Sequence, residues 1–351
     1  MPNSPLKVVV TRDLGPDVMP LLGDQNDIDL IVWPHDRAVD KQWLLEKLPG
    51  TTGLLVMLTD KVTPEILDAA GPTLRVVSTM SVEHLDIRAI AKRRIKLGYT
   101  PDVLTDAVAD LSVMLALMAG RNARQTMSVV DKGEWPNYTW SPFLFCGPQL
   151  SASTTSTQRT VGFLGFGRIA RATLSRLIPF GITDCIYTSN PDSPYNPDRD
   201  AELKKEFPAS LRTLKKVSLS QLASDSDMLF VLTPGGAETR HVVNEEFLKG
   251  MKKTSVLVNT SRGTVVDSFA LAKALREGWL WGAGVDVVEG EPRITQDHSL
   301  VQEPKCVILP HIGSATLETR LGMATLAAKN LLAGIRDEAM PAGLDLSQYC
   351  E

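Results

Sequence analysis

From Lys7 onward the chain alternates short apolar runs of strand character with amphipathic, helix-like runs, and this alternation leaves few folds open. "KVVVTR", "GLLVML" and "RVVSTM" are separated by segments such as "TPEILDAA" and "DIRAIAKRR". After Thr160 the pattern restarts with "TVGFLGFG", "DCIYTS", "MLFVLT", "SVLVNT", "LWGAGVDV" and "CVILP". Apolar strands joined through helices imply parallel sheets covered by helices on both faces, so the expected class is α/β. Five or six strands in the second half suffice for a complete nucleotide-binding-type sheet. At 351 residues the chain also exceeds the size at which one hydrophobic core stops growing, so two domains are expected.

Between the two halves "TPDVLTDAVADLSVMLALMAGRNARQTMSVV" carries apolar positions every three or four residues. It reads as one long helix, capped by Thr100 or Asp102 with Pro101 just inside, and long enough to bridge two domains. Residues 131–160 break the pattern. Their aromatics, Trp135, Tyr138, Trp140, Phe143 and Phe145, need burial, and a subunit contact is one way to supply it.

The net charge of −4 gives no basic field for a phosphate backbone, which argues against nucleic acid as a partner. The longest apolar stretches, such as Val108 to Ala119, are too short to cross a bilayer. The start "MPNSPLKVVV" has no signal-peptide pattern and the end "SQYCE" no peroxisomal or retention signal, so a cytoplasmic protein is expected. Cys146, Cys185, Cys306 and Cys350 are far apart with no C-x-x-C pair, and read as reduced thiols rather than metal ligands.

"VGFLGFGRIA" sets Gly165, Gly167 and Ala170 at G-x-G-x-x-A spacing between a strand and a helix. The first glycine allows the tight turn, the second lets the backbone approach a pyrophosphate, and the small third residue allows close helix packing, with the phosphates at the helix N-terminus. A dinucleotide cofactor follows. The next strand ends in Thr188, Ser189 and Asn190, with no carboxylate to accept from a ribose 2′-hydroxyl or to repel a 2′-phosphate. NADP is therefore the expected cofactor, with Arg168 or Arg199 as the nearby cation, and NAD remains open.

Three further residues follow strand ends: Arg262 in "NTSRG", Glu291 in "GVDVVEGEP" and His311 in "CVILPHIGSAT". A strand-end arginine can serve in a surface ion pair, and a histidine past a buried strand can cap backbone groups. In a parallel sheet, however, consecutive strand ends lie along one edge, the edge at which open α/β folds bind ligands. An arginine to hold a carboxylate and polarise a keto group, a histidine to protonate the oxygen, and a glutamate to orient the ring are what reduction of a 2-oxo acid requires.

On "GYTPDVLTDAVADL", "VGFLGFGRIA", "NTSRG", "GVDVVEGEP" and "VILPHIGSATLETR", in that order, the chain resembles the D-2-hydroxyacid dehydrogenases, closest to their glyoxylate reductase/hydroxypyruvate reductase branch, over roughly Lys7 to Leu344. The resemblance implies two similar Rossmann-like domains, one flavodoxin-like and one NAD(P)-binding, with a cofactor crevice between them. It divides the chain into a substrate-binding domain at 1–107, completed by 318–351, and a cofactor domain at 108–317. It also implies a homodimer that acts on a small 2-oxo or 2-hydroxy acid. By the same resemblance Arg262, Glu291 and His311 are catalytic. Gly165, Gly167, Arg168, Ile169, Ser189, Asn190, Thr233, Thr260, Asp286 and Gly313 meet the cofactor. Val82 and Ser314 approach the substrate, with Trp140 reaching the partner's site.

Two positions depart from the family pattern. The substrate loop, "STMSVEHLDI", runs from Val82 straight to Glu83 and lacks the family's glycine, and Asn190 stands where NADP-preferring relatives often carry arginine. The first departure supports an alternative to an enzyme: a nucleotide-sensing regulatory or corepressor protein on the same fold, with weak or no turnover.

Overall fold

A computed structural model describes residues 5–82, 84–152, 158–189 and 196–349. Two compact units result, Met1–Leu104 with Ala315–Glu351, and Thr105–Ser314. The first unit is built on a parallel sheet of β1 (Leu6–Val10), β2 (Ile28–Val32), β3 (Gly53–Val56), β4 (Val76–Thr79) and β5 (Lys96–Gly98), in the order β2-β1-β3-β4-β5. This is the flavodoxin-like order.

Apolar runs form its centre. Val8, Val9, Val10, Leu54, Leu55, Val56, Val76 and Val77 have no exposed surface, as expected of strands covered on both faces. The Leu317–Ile335 helix closes one face of this sheet through Met323, Ala327, Leu331 and Ile335, and Ala327 C=O accepts from Ser78 Oγ at 2.7 Å.

The second unit carries seven parallel strands: β6 (Thr160–Leu164), β7 (Asp184–Thr188), β8 (Thr213–Lys216), β9 (Met228–Val231), β10 (Val256–Asn259), β11 (Gly282–Val285) and β12 (Cys306–Ile308). Their order is β12-β11-β10-β9-β6-β7-β8. Counted from β6, this is the dinucleotide-binding order extended by one strand, and the direction of winding reverses between β6 and β9. The sheet thus has one strand more than the upper expectation, because β8 ("TLKK") is a short edge strand whose polar residues hide it among loops.

The single bridging helix is corrected to two, Thr105–Gly120 and Ala123–Asp131. Asn122 stands between them at φ +51°, and a left-handed residue ends a helix because the hydrogen-bond ladder cannot pass through it. Asp102, at φ +70°, does not have the extended backbone of an N-cap, and the first helix begins three residues later. The aromatic segment is not buried within the chain: Trp135, Trp140 and Phe143 are 66%, 81% and 87% exposed. No helix among the described residues is long and apolar enough to cross a membrane.

Candidate active site

The turn after β6 lies at the reversal point of the second sheet. Gly165 N–H donates to Thr188 C=O at 2.9 Å and Leu232 N–H to Leu164 C=O at 2.8 Å, so the ends of β6, β7 and β9 are tied together. Gly165 has φ +89°, and a Cβ there would lie 2.8 Å from the Thr233 nitrogen. Gly167 caps the Arg168–Leu177 helix without a side-chain hydrogen bond, and a Cβ on it would meet nothing within 4 Å. A helix N-terminus with open space at its glycine, where backbone can approach closely, is what a pyrophosphate needs, and the residues therefore fit a dinucleotide. Arg168 is exposed, Ile169 half-buried and Ala170 fully buried against the sheet.

Replacing Gly165 by alanine is expected to raise the Kd for NADPH at least about tenfold, since forcing a side chain into this backbone region costs about 1–3 kcal/mol before the clash with Thr233 is counted. Fluorescence titration checks this, and an unchanged Kd would remove Gly165 from the role.

Ser189 follows β7 and is half-buried. Asn190 and Glu83 lie outside the described residues, as does Cys350. Thr233 is half-buried just past β9. Thr260 is buried past β10, and its hydroxyl meets that of Ser112 at 2.7 Å. Ser112 was absent from the expected set because it lies within a helix, with no nearby motif to mark it.

Arg262 follows β10 in a turn fixed by Asn259. The Asn259 amide donates to Arg262 C=O at 2.9 Å and its carbonyl accepts from Ser261 N–H at 3.1 Å. The guanidinium also donates to Ser261 C=O. Gly263 holds this turn against the next one: a Cβ on it would lie 2.1 Å from Val288 C and 2.3 Å from Glu289 N, so only glycine permits the approach.

Asp286, at the end of β11, is 2% exposed. Its carboxylate accepts from Ile312 and Gly313 N–H at 2.7 Å each, and its C=O accepts from His311 N–H at 2.9 Å. Burial pushes its carboxyl above the usual range, against the pull of those two amides and of His311. A Cβ on Gly313 would come within 3.1 Å of the same carboxylate. Asp286 therefore fixes the turn that carries His311, whose φ of +55° such anchoring sustains.

His311 Nδ1–H donates to Glu291 Oε1 at 2.9 Å, and Glu291 Oε2 accepts from Val288 N–H at 3.3 Å. The bond to Glu291 raises the His311 pKa above 6.5. Burial opposes the rise, the charges of Glu291 and Asp286 add to it, and Arg262 is near enough to oppose it. With Nδ1 engaged, Nε2 is the nitrogen left to hand on a proton. The ring is 41% exposed and so accessible to a small molecule. Arg262, Glu291 and His311 thus converge in the second unit, with Ser314 half-buried beside Gly313.

Val82 belongs to the first unit, in the turn between β4 and the Ile87–Lys92 helix. Its C=O accepts from Leu85 N–H at 3.2 Å, and Thr79 Oγ1 donates to Ser81 C=O at 2.7 Å. Leu85 bridges to Val62 in the same unit. Trp140 stands on the exposed aromatic segment. Among the described residues no group of three or more His, Cys, Asp or Glu side chains could hold a metal ion.

Comparison with known proteins gives a consistent result. The family model of the D-isomer specific 2-hydroxyacid dehydrogenase NAD binding domain matches residues 113–313. The glyoxylate reductase/hydroxypyruvate reductases of Mus musculus and Homo sapiens are each 41% identical over 343 residues, 97% of this chain and 98% of theirs. The glyoxylate reductase of Thermofilum pendens is 38% identical over 96% of this chain and 93% of its own. Among solved structures, an NADPH-dependent glyoxylate/hydroxypyruvate reductase from Sinorhizobium meliloti superposes with a TM-score of 0.75 at 28% identity, over 97% of this chain and 98% of that one.

Proposed function

The chain belongs to the D-isomer specific 2-hydroxyacid dehydrogenase family, and from that premise we propose that it reduces glyoxylate to glycolate and hydroxypyruvate to D-glycerate with a nicotinamide dinucleotide. The observation that carries this reading is the Glu291–His311 pair at 2.9 Å, close enough to Arg262 for the guanidinium charge to be felt at the ring. The reduced nicotinamide, when bound, supplies the hydride.

The protein's own residues do the rest. Arg262 grips the substrate carboxylate with its planar fork and polarises the keto oxygen. His311 gives that oxygen a proton from Nε2, and Glu291 fixes the ring and favours its charged form. Gly165, Gly167, Arg168, Ile169, Ser189, Asn190, Thr233, Thr260, Asp286 and Gly313 form the cofactor set, with Val82 and Ser314 toward the substrate. The division into a substrate-binding domain of 1–107 with 318–351 and a cofactor domain of 108–317 accompanies this assignment.

NADP is the proposed preference, supported by the absence of a carboxylate at Thr188 and Ser189. Asn190→Arg is expected to shift the NADPH/NADH ratio of kcat/KM further toward NADPH, because an added guanidinium pairs with a 2′-phosphate. Equal ratios before and after would count against Asn190 as a selecting residue. A homodimer is proposed on the exposed aromatic segment, with Trp140 reaching the partner's site; large apolar side chains this exposed need a partner surface.

The raised His311 pKa sets the pH dependence. In the reductive direction the free enzyme must hold His311 protonated. The expected kcat/KM is therefore level at low pH and falls as pH rises through a value above 6.5. Glu291→Gln removes the largest raising influence and should move this falling limb to lower pH; a limb that stays put would separate Glu291 from the role. The regulatory alternative finds no support in the relatives, each of which is named for reduction.

A further inference from the structure

We propose that His241 and Glu289 form a positioning pair that sets the Glu291–His311 couple in register with Arg262. His241 lies in the loop after β9, and Glu289 lies in the loop after β11, two residues before Glu291. His241 Nε2–H donates to Glu289 Oε2 at 2.6 Å, an anchor made between half-buried groups. Arg240 Nη1 reaches the other oxygen, Oε1, at 2.7 Å, but its side chain is 57% exposed, so solvent screens that contact. Asp267 is a further charged neighbour of the ring, 3.9 Å from Nδ1 and beyond hydrogen-bond reach.

The backbone gives the pair its leverage. His241 is held at φ +51°, with its N–H donating to Thr264 C=O at 2.9 Å, two residues past Arg262. On that same turn Gly263 lies against the Val288 and Glu289 backbone so closely that a Cβ would overlap both. The Glu289 side chain thus pulls its loop onto the Arg262 turn from one side while Gly263 receives it on the other. From Glu289 the chain runs through Gly290, at φ +96°, to Glu291, whose N–H donates back to Val288 C=O at 3.2 Å. Val288 N–H in turn donates to Glu291 Oε2 at 3.3 Å. A shift of Glu289 therefore moves Val288 and Glu291 together, and with them the bond that orients His311.

Neither His241 nor Glu289 belongs to the Arg262–Glu291–His311 group; they act through it. Left-handed backbone at a residue other than glycine persists where surrounding contacts enforce it, and His241 shares that condition with His311.

The inference rests on the reading of Glu291 and His311 as the proton-donating couple, so its test has a readout that does not depend on turnover. The His311 ring is titrated by NMR in the intact protein, with His311→Gln assigning the signal, alongside reductive kcat/KM with hydroxypyruvate and NADPH. In His241→Ala the His311 pKa is expected to fall toward the ordinary histidine value, since Glu291 no longer sits squarely on Nδ1. The falling limb of kcat/KM should move with it, and kcat/KM should drop about tenfold, as expected when reacting groups are displaced by a fraction of an ångström. NADPH affinity should be unchanged. His241→Gln, which keeps an N–H donor at the end of its side chain, should restore most of the loss.

Glu289→Gln weakens the pair from the other side and should shift the titration in the same direction, which keeps the test decisive if His241→Ala folds poorly. An unmoved His311 titration in both variants overturns the inference, whatever the activities. A titration shifted in the two variants, of a protein whose wild type shows no turnover, would instead sustain the positioning role and count against the reductase reading.

Discussion

His311→Ala is expected to lower kcat for hydroxypyruvate reduction by about 10²–10⁴-fold, the range typical of losing a positioned general acid. The expectation follows from the geometry: Nδ1 is committed to Glu291 at 2.9 Å, which aligns Nε2 as the donor. NADPH affinity should change little, because the cofactor turn at Gly165 and Gly167 follows β6, whereas His311 follows β12 at the far edge of the sheet. Steady-state rates across pH provide the check. The variant should lose the falling limb assigned to His311, and a variant with both wild-type turnover and that limb intact would remove His311 from proton transfer.

Arg262→Lys is the second large effect. Lysine keeps the charge but not the fork, so the two parallel hydrogen bonds to a carboxylate become one contact to a point charge. Hydrogen bonds to charged groups contribute about 1.5–3 kcal/mol, which corresponds to roughly 10- to 100-fold in kcat/KM. The Asn259 contacts to the Arg262 and Ser261 backbone do not involve the guanidinium, so the turn itself should survive the change. Both kcat and KM for glyoxylate are to be measured, with loss expected in each. Wild-type kcat/KM would refute the assignment.

The grouping of Arg262, Glu291 and His311 was legible in the sequence because a parallel sheet turns consecutive strand ends into neighbours, so the three could be placed on one edge without coordinates. The glycine turn was legible for a similar reason: Gly165 and Gly167 follow an unmistakable apolar strand. What escaped has no local signature. Ser112 meets Thr260 across 148 residues of sequence, and His241 meets Glu289 across 48, from loops whose composition marks neither.

Edge strands were hidden for another reason. Lys96–Gly98 is three residues long and Thr213–Lys216 is half lysine, so neither shows the apolar run by which central strands are recognised. The break at Asn122 was hidden by its flanks, since apolar periodicity continues on both sides and only the left-handed backbone of one residue interrupts it.

The central claim, reduction of a small 2-oxo acid, is tested most directly by the initial rate of NADPH oxidation by the purified protein with hydroxypyruvate and with glyoxylate, and of NADH oxidation in parallel. The account predicts saturable turnover on both acids, faster with NADPH. Tight dinucleotide binding with no oxidation on either acid would contradict it and favour a protein that binds the cofactor without using it.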